Sequence, residues 1–173
     1  MRSKGQQGFT LIELLIVVAI ISIIAAIAVP GLLRARMTAN ETSGIASLKT
    51  VTSSQVAYSA SCGSNGYATS FVILGTPPAG TTEGFISADL GLVVAPQKSG
   101  YNFTLGAGLG GAAGPNDCNG TATTTAYYAT AVPQTFGTTG GRSFATNAGN
   151  TIWQVSAAGA PPEPFTAPAV PIQ

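Results

Sequence analysis

Three side chains stand out by type and placement: a carboxylate, Glu13, inside an otherwise apolar run, and two cysteines, Cys62 and Cys118. Residues 9–29 span 21 positions, in which Glu13 is the only charge and Thr10 and Ser22 are the only other polar side chains. An acid at the centre of a membrane-spanning helix costs about 2.5–3.5 kcal/mol. Glu13 lies nearer the end and costs less, yet a plain anchor would have no acid there. A carboxylate tolerated at the membrane interface is the bland reading. The sharper one is an acid kept for a positive partner in a protein assembly, because ionisable groups inside membranes are functional by default.

The remaining polar residues argue against catalysis. Histidine is absent, so the usual general base is missing. Glu41, Glu83, Asp89, Asp117 and Glu163 are scattered, and no two are spaced as a catalytic dyad. The stretch Asn116-Asp117-Cys118-Asn119-Gly120 offers oxygen ligands, but one carboxylate is thin for calcium, and a turn is the simpler reading. The glycine-rich residues 106–114 lack the Gly-Lys-Ser/Thr ending of a phosphate loop. No enzyme activity, cofactor or metal site is expected.

The element that must position Glu13 is the apolar run itself. As a helix, 21 residues span roughly 31 Å, close to the hydrocarbon thickness of a bilayer. Ahead of it, residues 1–8 are polar and basic, with Arg2 and Lys4, and end in Gly8. A secretory signal places its apolar region before the cleavage site. Here the order is reversed, and a cut after Gly8 would leave the apolar helix on the mature chain, beginning at Phe9.

GFTLIELLIVVAIISIIAAIAVPGLLRAR closely resembles the N-terminus of bacterial type IV prepilins. The resemblance is specific over about the first 35 residues and extends to the rest only in general layout. It implies cleavage between Gly8 and Phe9 by a membrane-bound prepilin peptidase, followed by N-methylation of Phe9. It also implies that Phe9, Thr10 and Glu13 serve assembly, with the Glu13 carboxylate facing the Phe9 ammonium of a neighbouring copy, and that Pro30 matches a proline common in the family's helix. The partners implied are a homopolymeric filament, the peptidase, the pilus assembly machinery in the inner membrane, and lipid before assembly.

The 173 residues suffice for one modest domain beside the helix. Loss of Arg2 and Lys4 would leave 5 basic against 6 acidic side chains, which gives no electrostatic footprint for nucleic acid. Arg2 and Lys4 before the span nearly balance Arg34 and Arg36 after it, so the positive-inside count is almost tied. The N-terminal amine tips it towards a cytoplasmic N-terminus and an extracytoplasmic C-terminal domain. In that oxidising compartment Cys62 and Cys118 most simply form one disulfide, the alternative being two buried thiols.

Pro30 and Gly31 are the expected break in the helix, since proline deletes a backbone hydrogen bond and glycine adds flexibility. Beyond them, Leu33, Met37, Ile45, Leu48, Val51 or Thr52, Gln55 or Val56, and Tyr58 recur at helical spacing, predicting an amphipathic continuation to about residue 61. Residues 62–100 read as a connecting region with short apolar islands at 71–74 and 90–94. Residues 101–156 read as three or four antiparallel strands: 101–105, 123–132, and a hairpin of 142–146 with 151–155 around Asn147-Ala-Gly-Asn. Residues 157–173 form a tail with five prolines, either draped on the surface or disordered.

The reading is therefore an α+β, pilin-like chain: residues 1–8 a leader, 9–61 a long helix, hydrophobic to about 33, packed on a small antiparallel sheet. Its function would be that of a subunit polymerising into a type IV pilus for adhesion, twitching motility or DNA uptake. The alternatives are a type II secretion pseudopilin, whose major form typically ends in an acidic calcium-binding loop that is missing here, a minor pilin, or a membrane-anchored extracytoplasmic binding domain that never polymerises.

Overall fold

The computed structural model describes residues 8–172; the basic part of the expected leader, with Arg2 and Lys4, lies outside them. The chain divides into two compact units, Met1–Arg36 and Met37–Gln173.

Helix α1 (Leu11–Ser61) begins in the first unit and ends in the second. In the first unit its side chains are exposed on every face, from Leu11 to Arg36. The expected break at Pro30 and Gly31 is corrected here: α1 is continuous through both residues. One proline removes a single amide donor and leaves the Ala26 carbonyl without its usual bond. The turns on either side remain helical, and a helix already nucleated on both sides tolerates one missing bond.

In the second unit α1 buries Glu41, Gly44, Ser47, Leu48, Val51, Ser54, Gln55 and Tyr58, a stripe at helical spacing. It packs on a six-stranded antiparallel sheet of order β1-β2-β5-β6-β7-β8. The strands are β1 (Gln97–Lys98), β2 (Tyr101–Ala107), β5 (Tyr127–Pro133), β6 (Ser143–Asn147), β7 (Ile152–Val155) and β8 (Val170–Pro171). The four longest are the strands expected from alternation. Their register is simple, with Phe103 opposite Ala131, Thr130 opposite Ala145 and Ala145 opposite Trp153. In β2, Tyr101, Phe103 and Leu105 point to the core, as period-2 alternation requires. The hairpin forms at Asn147–Asn150, where Asn150 adopts φ 59° and its N–H donates to the Asn147 carbonyl at 2.9 Å.

Between helix and sheet lie two short helices, α2 (Phe71–Gly75) and α3 (Ala88–Gly91), which turn the apolar islands of the connecting region inward through Phe71, Leu74 and Leu90. Gly75 has to be glycine: a β-carbon there would stand 2.3 Å from the Gly91 carbonyl oxygen. A separate two-stranded sheet, β3 (Ala113–Asn116) with β4 (Ala122–Thr124), occupies part of the expected glycine-rich loop. The predicted strand 123–132 is thus two strands, and the chain passes from one sheet to the other between Thr124 and Tyr127.

The proline-rich tail is draped and ordered. The Glu163 carboxylate accepts from Asn147 Nδ2 and from the Leu109 N–H, both at 2.7 Å. Phe165 stacks on Trp153 with ring centroids 5.2 Å apart, and the Tyr128 hydroxyl donates to the Pro161 carbonyl.

Candidate assembly site

The first unit presents its chemistry at the start of α1. Gly8 and Phe9 precede the first helical turn, and Phe9 is 93% exposed, so the Gly8–Phe9 peptide bond is free of tertiary structure. Thr10 and Glu13 are brought together. The Thr10 N–H donates to Glu13 Oε2 at 2.9 Å, the Thr10 hydroxyl donates to the same oxygen at 2.7 Å, and the Glu13 N–H donates to Thr10 Oγ1 at 3.2 Å. This is a reciprocal capping box, in which two amide donors at the helix start are satisfied by side chains. The Thr-x-x-Glu spacing was present in the sequence and signals it. Membrane function had drawn attention to the charge of Glu13 and away from its role as a cap.

From Leu11 to Leu33 the large apolar side chains are each at least half exposed among the described residues. The helix is long and apolar enough to cross a membrane. Pro30 and Gly31 lie on this exposed stretch, and nothing approaches within 4 Å of where a Gly31 β-carbon would be.

The second unit holds the cysteines. Cys62 and Cys118 form a disulfide, Cα to Cα 4.8 Å, which ties the end of α1 to the β3–β4 turn. The Cys118 N–H also donates to the Cys62 carbonyl at 2.8 Å. Beside them Asp117 works as the pin of a turn. Its Oδ1 accepts from the N–H groups of Asn119 and Thr121, and its Oδ2 accepts from the Tyr58 hydroxyl at 2.8 Å. Burial, reinforced by the Asp117 carboxylate, pushes the Tyr58 hydroxyl well above its ordinary range.

Two polar residues anchor the buried face of α1: Gln55, which the sequence reading offered for the stripe as the alternative to Val56, and Glu41, which it left off. Gln55 is fully buried, and its amide bonds both the carbonyl and the N–H of Ala68, at 2.8 and 2.9 Å, standing in for a strand edge. Glu41 accepts from the Gly141 N–H at 2.8 Å and from Arg142 Nε and Nη2 at 2.9 and 2.6 Å. Arg142 in turn donates to Gln154 Oε1 at 2.6 Å and lies over the Phe144 ring. No local pattern could have paired residues this far apart in the chain. The available signal was a charged and an amide residue placed on the face that must be buried.

A long, capped apolar helix followed by an antiparallel sheet is an α+β, pilin-like fold. Residues 3–29 match the family described as "Prokaryotic N-terminal methylation motif". Over 39 residues the chain is 62% identical to the "Type IV wide pilus major component PilA4" of Thermus thermophilus, a match covering 22% of this chain and 30% of that protein. Together the two matches support a type IV pilin. The match spans less than a third of the relative's length. No solved structure matches the chain.

Proposed function

We propose that this chain is the structural subunit of a type IV pilus. The observation that carries the reading is the N-terminal motif seated on a helix whose apolar side chains are exposed among the described residues. A prepilin peptidase would cut between Gly8 and Phe9 and methylate the new amine. Until assembly the subunit would rest in the inner membrane, spanning it once, with the second unit on the extracytoplasmic side. On assembly the helix would leave lipid for a bundle of identical helices. That transfer exchanges one set of apolar contacts for another, so packing and polar pairs rather than hydrophobic gain must drive it. The Glu13 carboxylate facing a neighbour's Phe9 ammonium is such a pair. Pro30 and Gly31 are the positions at which the continuous helix would stretch in a fibre. Such a filament would support adhesion, twitching motility or DNA uptake.

The test is the intact mass and N-terminal sequence of the protein sheared from cell surfaces. The expected result is a dominant species beginning at N-methylated Phe9, two hydrogens lighter for the disulfide. A processed chain confined to the membrane would instead indicate a pseudopilin or minor subunit. An uncut N-terminus would overturn the reading in favour of a membrane-anchored domain.

A further inference from the structure

The second unit carries few charges, and most are matched inside it. Glu41 has Arg142 at 2.6 Å and Asp89 has Lys98 at 2.6 Å. Asp117 and Glu163 are occupied by the donors described above. Lys49 and Glu83 remain, opposite in sign, with no side-chain partner among the described residues.

These two lie on opposite flanks of the buried stripe of α1. At about 100° per residue, Lys49, Thr52, Ser53 and Val56 fall on one side of Leu48 and Gln55, and Ser43, Ser47 and Ser54 fall on the other. The Ser54 hydroxyl donates to the Phe85 carbonyl at 2.7 Å, and the Ser43 hydroxyl to Ser99 Oγ at 2.9 Å, which places the segment bearing Glu83 on that second side. The Lys49 flank is concave: a depression of about 450 Å³ lined by Lys49, Thr52, Ser53, Ile152 and Ile172 among others. The Glu83 flank is apolar. Glu83 and Leu92 line a second depression of about 420 Å³, and Leu92, Val93 and Val94 beside it are 76, 52 and 66% exposed. Three consecutive apolar side chains so exposed mark an interaction surface.

A surface with a cation and a surface with an anion beside exposed apolar side chains, on opposite sides of the second unit, form a heterologous pair. Such a contact leaves the joined pair with one free surface of each kind, so it propagates into an open polymer. We propose that the surface formed by Glu83 and Leu92 to Val94 of one copy docks on the Lys49 flank of the next copy, with the Lys49 ammonium paired to the Glu83 carboxylate. The contact rests on the homopolymer reading and adds a second register point, outside the membrane, to the one at Glu13.

Charge reversal tests it in the full-length chain, with filament yield in the sheared fraction normalised to processed subunit in the membrane. Lys49→Glu and Glu83→Lys should each lower the yield by about tenfold, because like charges then meet at the contact. The double variant Lys49→Glu/Glu83→Lys should return to within about twofold of the parent. In parallel, Lys49→Cys/Glu83→Cys filaments, mildly oxidised, should give a ladder of disulfide-linked multimers. A double reversal no better than the worse single variant, or filaments that form without the ladder, would overturn the contact while leaving the pilin reading standing. Absence of filaments from the parent chain itself would instead remove the homopolymer on which both depend.

Discussion

Glu13 and Glu41 sit on the same helix, one in each compact unit, and their surroundings are opposite. Glu41 is buried and answered within its own unit by a guanidinium and a backbone N–H. Among the described residues Glu13 is held by Thr10, three residues before it, on a helix otherwise lined by exposed Leu, Ile and Val. The same contrast runs through each unit. In the second, Gln55, Asp117 and Glu163 all find donors or acceptors from distant parts of the chain. In the first, the described hydrogen bonds of side chains stay local to the helix, as with the Ser22 hydroxyl and the Val18 carbonyl. A unit that satisfies its polar groups internally is a folded domain. A unit that leaves a carboxylate and an entire apolar surface uncovered is built to be completed by something outside it, whether lipid or neighbouring helices.

The largest effect should come from breaking that external completion. Glu13→Val removes both the charge and the cap, whereas Glu13→Gln removes the charge and keeps a side chain that can close the capping box. If the acid serves a neighbour's ammonium, both variants should lose assembled filament by more than about tenfold, since a single buried charge pair is worth at least that factor, while processed subunit in the membrane stays at the parental level. Normal filaments from Glu13→Gln would show that the cap is what matters and would remove the case for an electrostatic register at this position. Neither change should alter the unfolding of the second unit.

The next largest effect belongs to the second unit alone. The Cys62–Cys118 bond closes a sequence separation of 56 residues. The chain-entropy relation gives about 4 kcal/mol for a loop of this size. Cys62→Ser/Cys118→Ser should therefore lower the denaturant-unfolding free energy of the detergent-solubilised chain by up to that amount. The loss should concentrate at the β3–β4 hairpin, read as faster amide exchange at Thr124, whose N–H donates to the Tyr67 carbonyl. Unchanged exchange there would mean that the Asp117 turn and its Tyr58 contact suffice to hold the hairpin.

The two units also differ in how far the sequence discloses them. The first is written locally: a polar leader, a glycine, an aromatic residue, Thr-x-x-Glu and an unbroken apolar run are adjacent in the chain, and the properties that matter are adjacent too. Pro30 and Gly31 do not interrupt α1, because the helical turns flanking them on both sides outweigh the two residues' intrinsic preferences. In the second unit the four longer strands and the hairpin at Asn147–Asn150 follow from alternation and turn chemistry, which are also local. The buried face of α1 was half legible. Leu48, Val51 and Tyr58 follow from hydropathy, but Glu41 and Gln55 are buried for the sake of Arg142 and Ala68, partners that folding alone supplies. The strands β3 and β4 were hidden for the same reason: their composition is that of a loop, and what holds them is a cross-link and an aspartate turn rather than an apolar face. The tail followed neither rule, because its order comes from one acid, Glu163, and one ring, Phe165, set among prolines.

The smallest of the three effects probes how self-sufficient the second unit is. Arg142→Met keeps much of the side-chain volume over Phe144 but strips Glu41 of its cation. The Glu41 side chain is only 10% exposed, so its charge would be left largely unscreened, although the Gly141 N–H would still serve one of its oxygens. Removing one partner of a fully buried pair costs about 3–5 kcal/mol. The Arg142 side chain is 39% exposed and partly hydrated, which reduces the expected cost to about 2 kcal/mol. Glu41→Gln should cost less, about 1 kcal/mol, because the amide oxygen can still accept from the guanidinium and only the Gly141 N–H loses its acceptor. The ranking carries the information. If Glu41→Gln were the more damaging variant, the charge itself would be contributing net stability. If the order is as expected, what matters is the hydrogen-bond geometry joining α1 to the start of β6, and the charge is tolerated because the fold encloses it. Glu13 has no such enclosure among the described residues, so there the Gln variant should be as harmful to assembly as the Val variant.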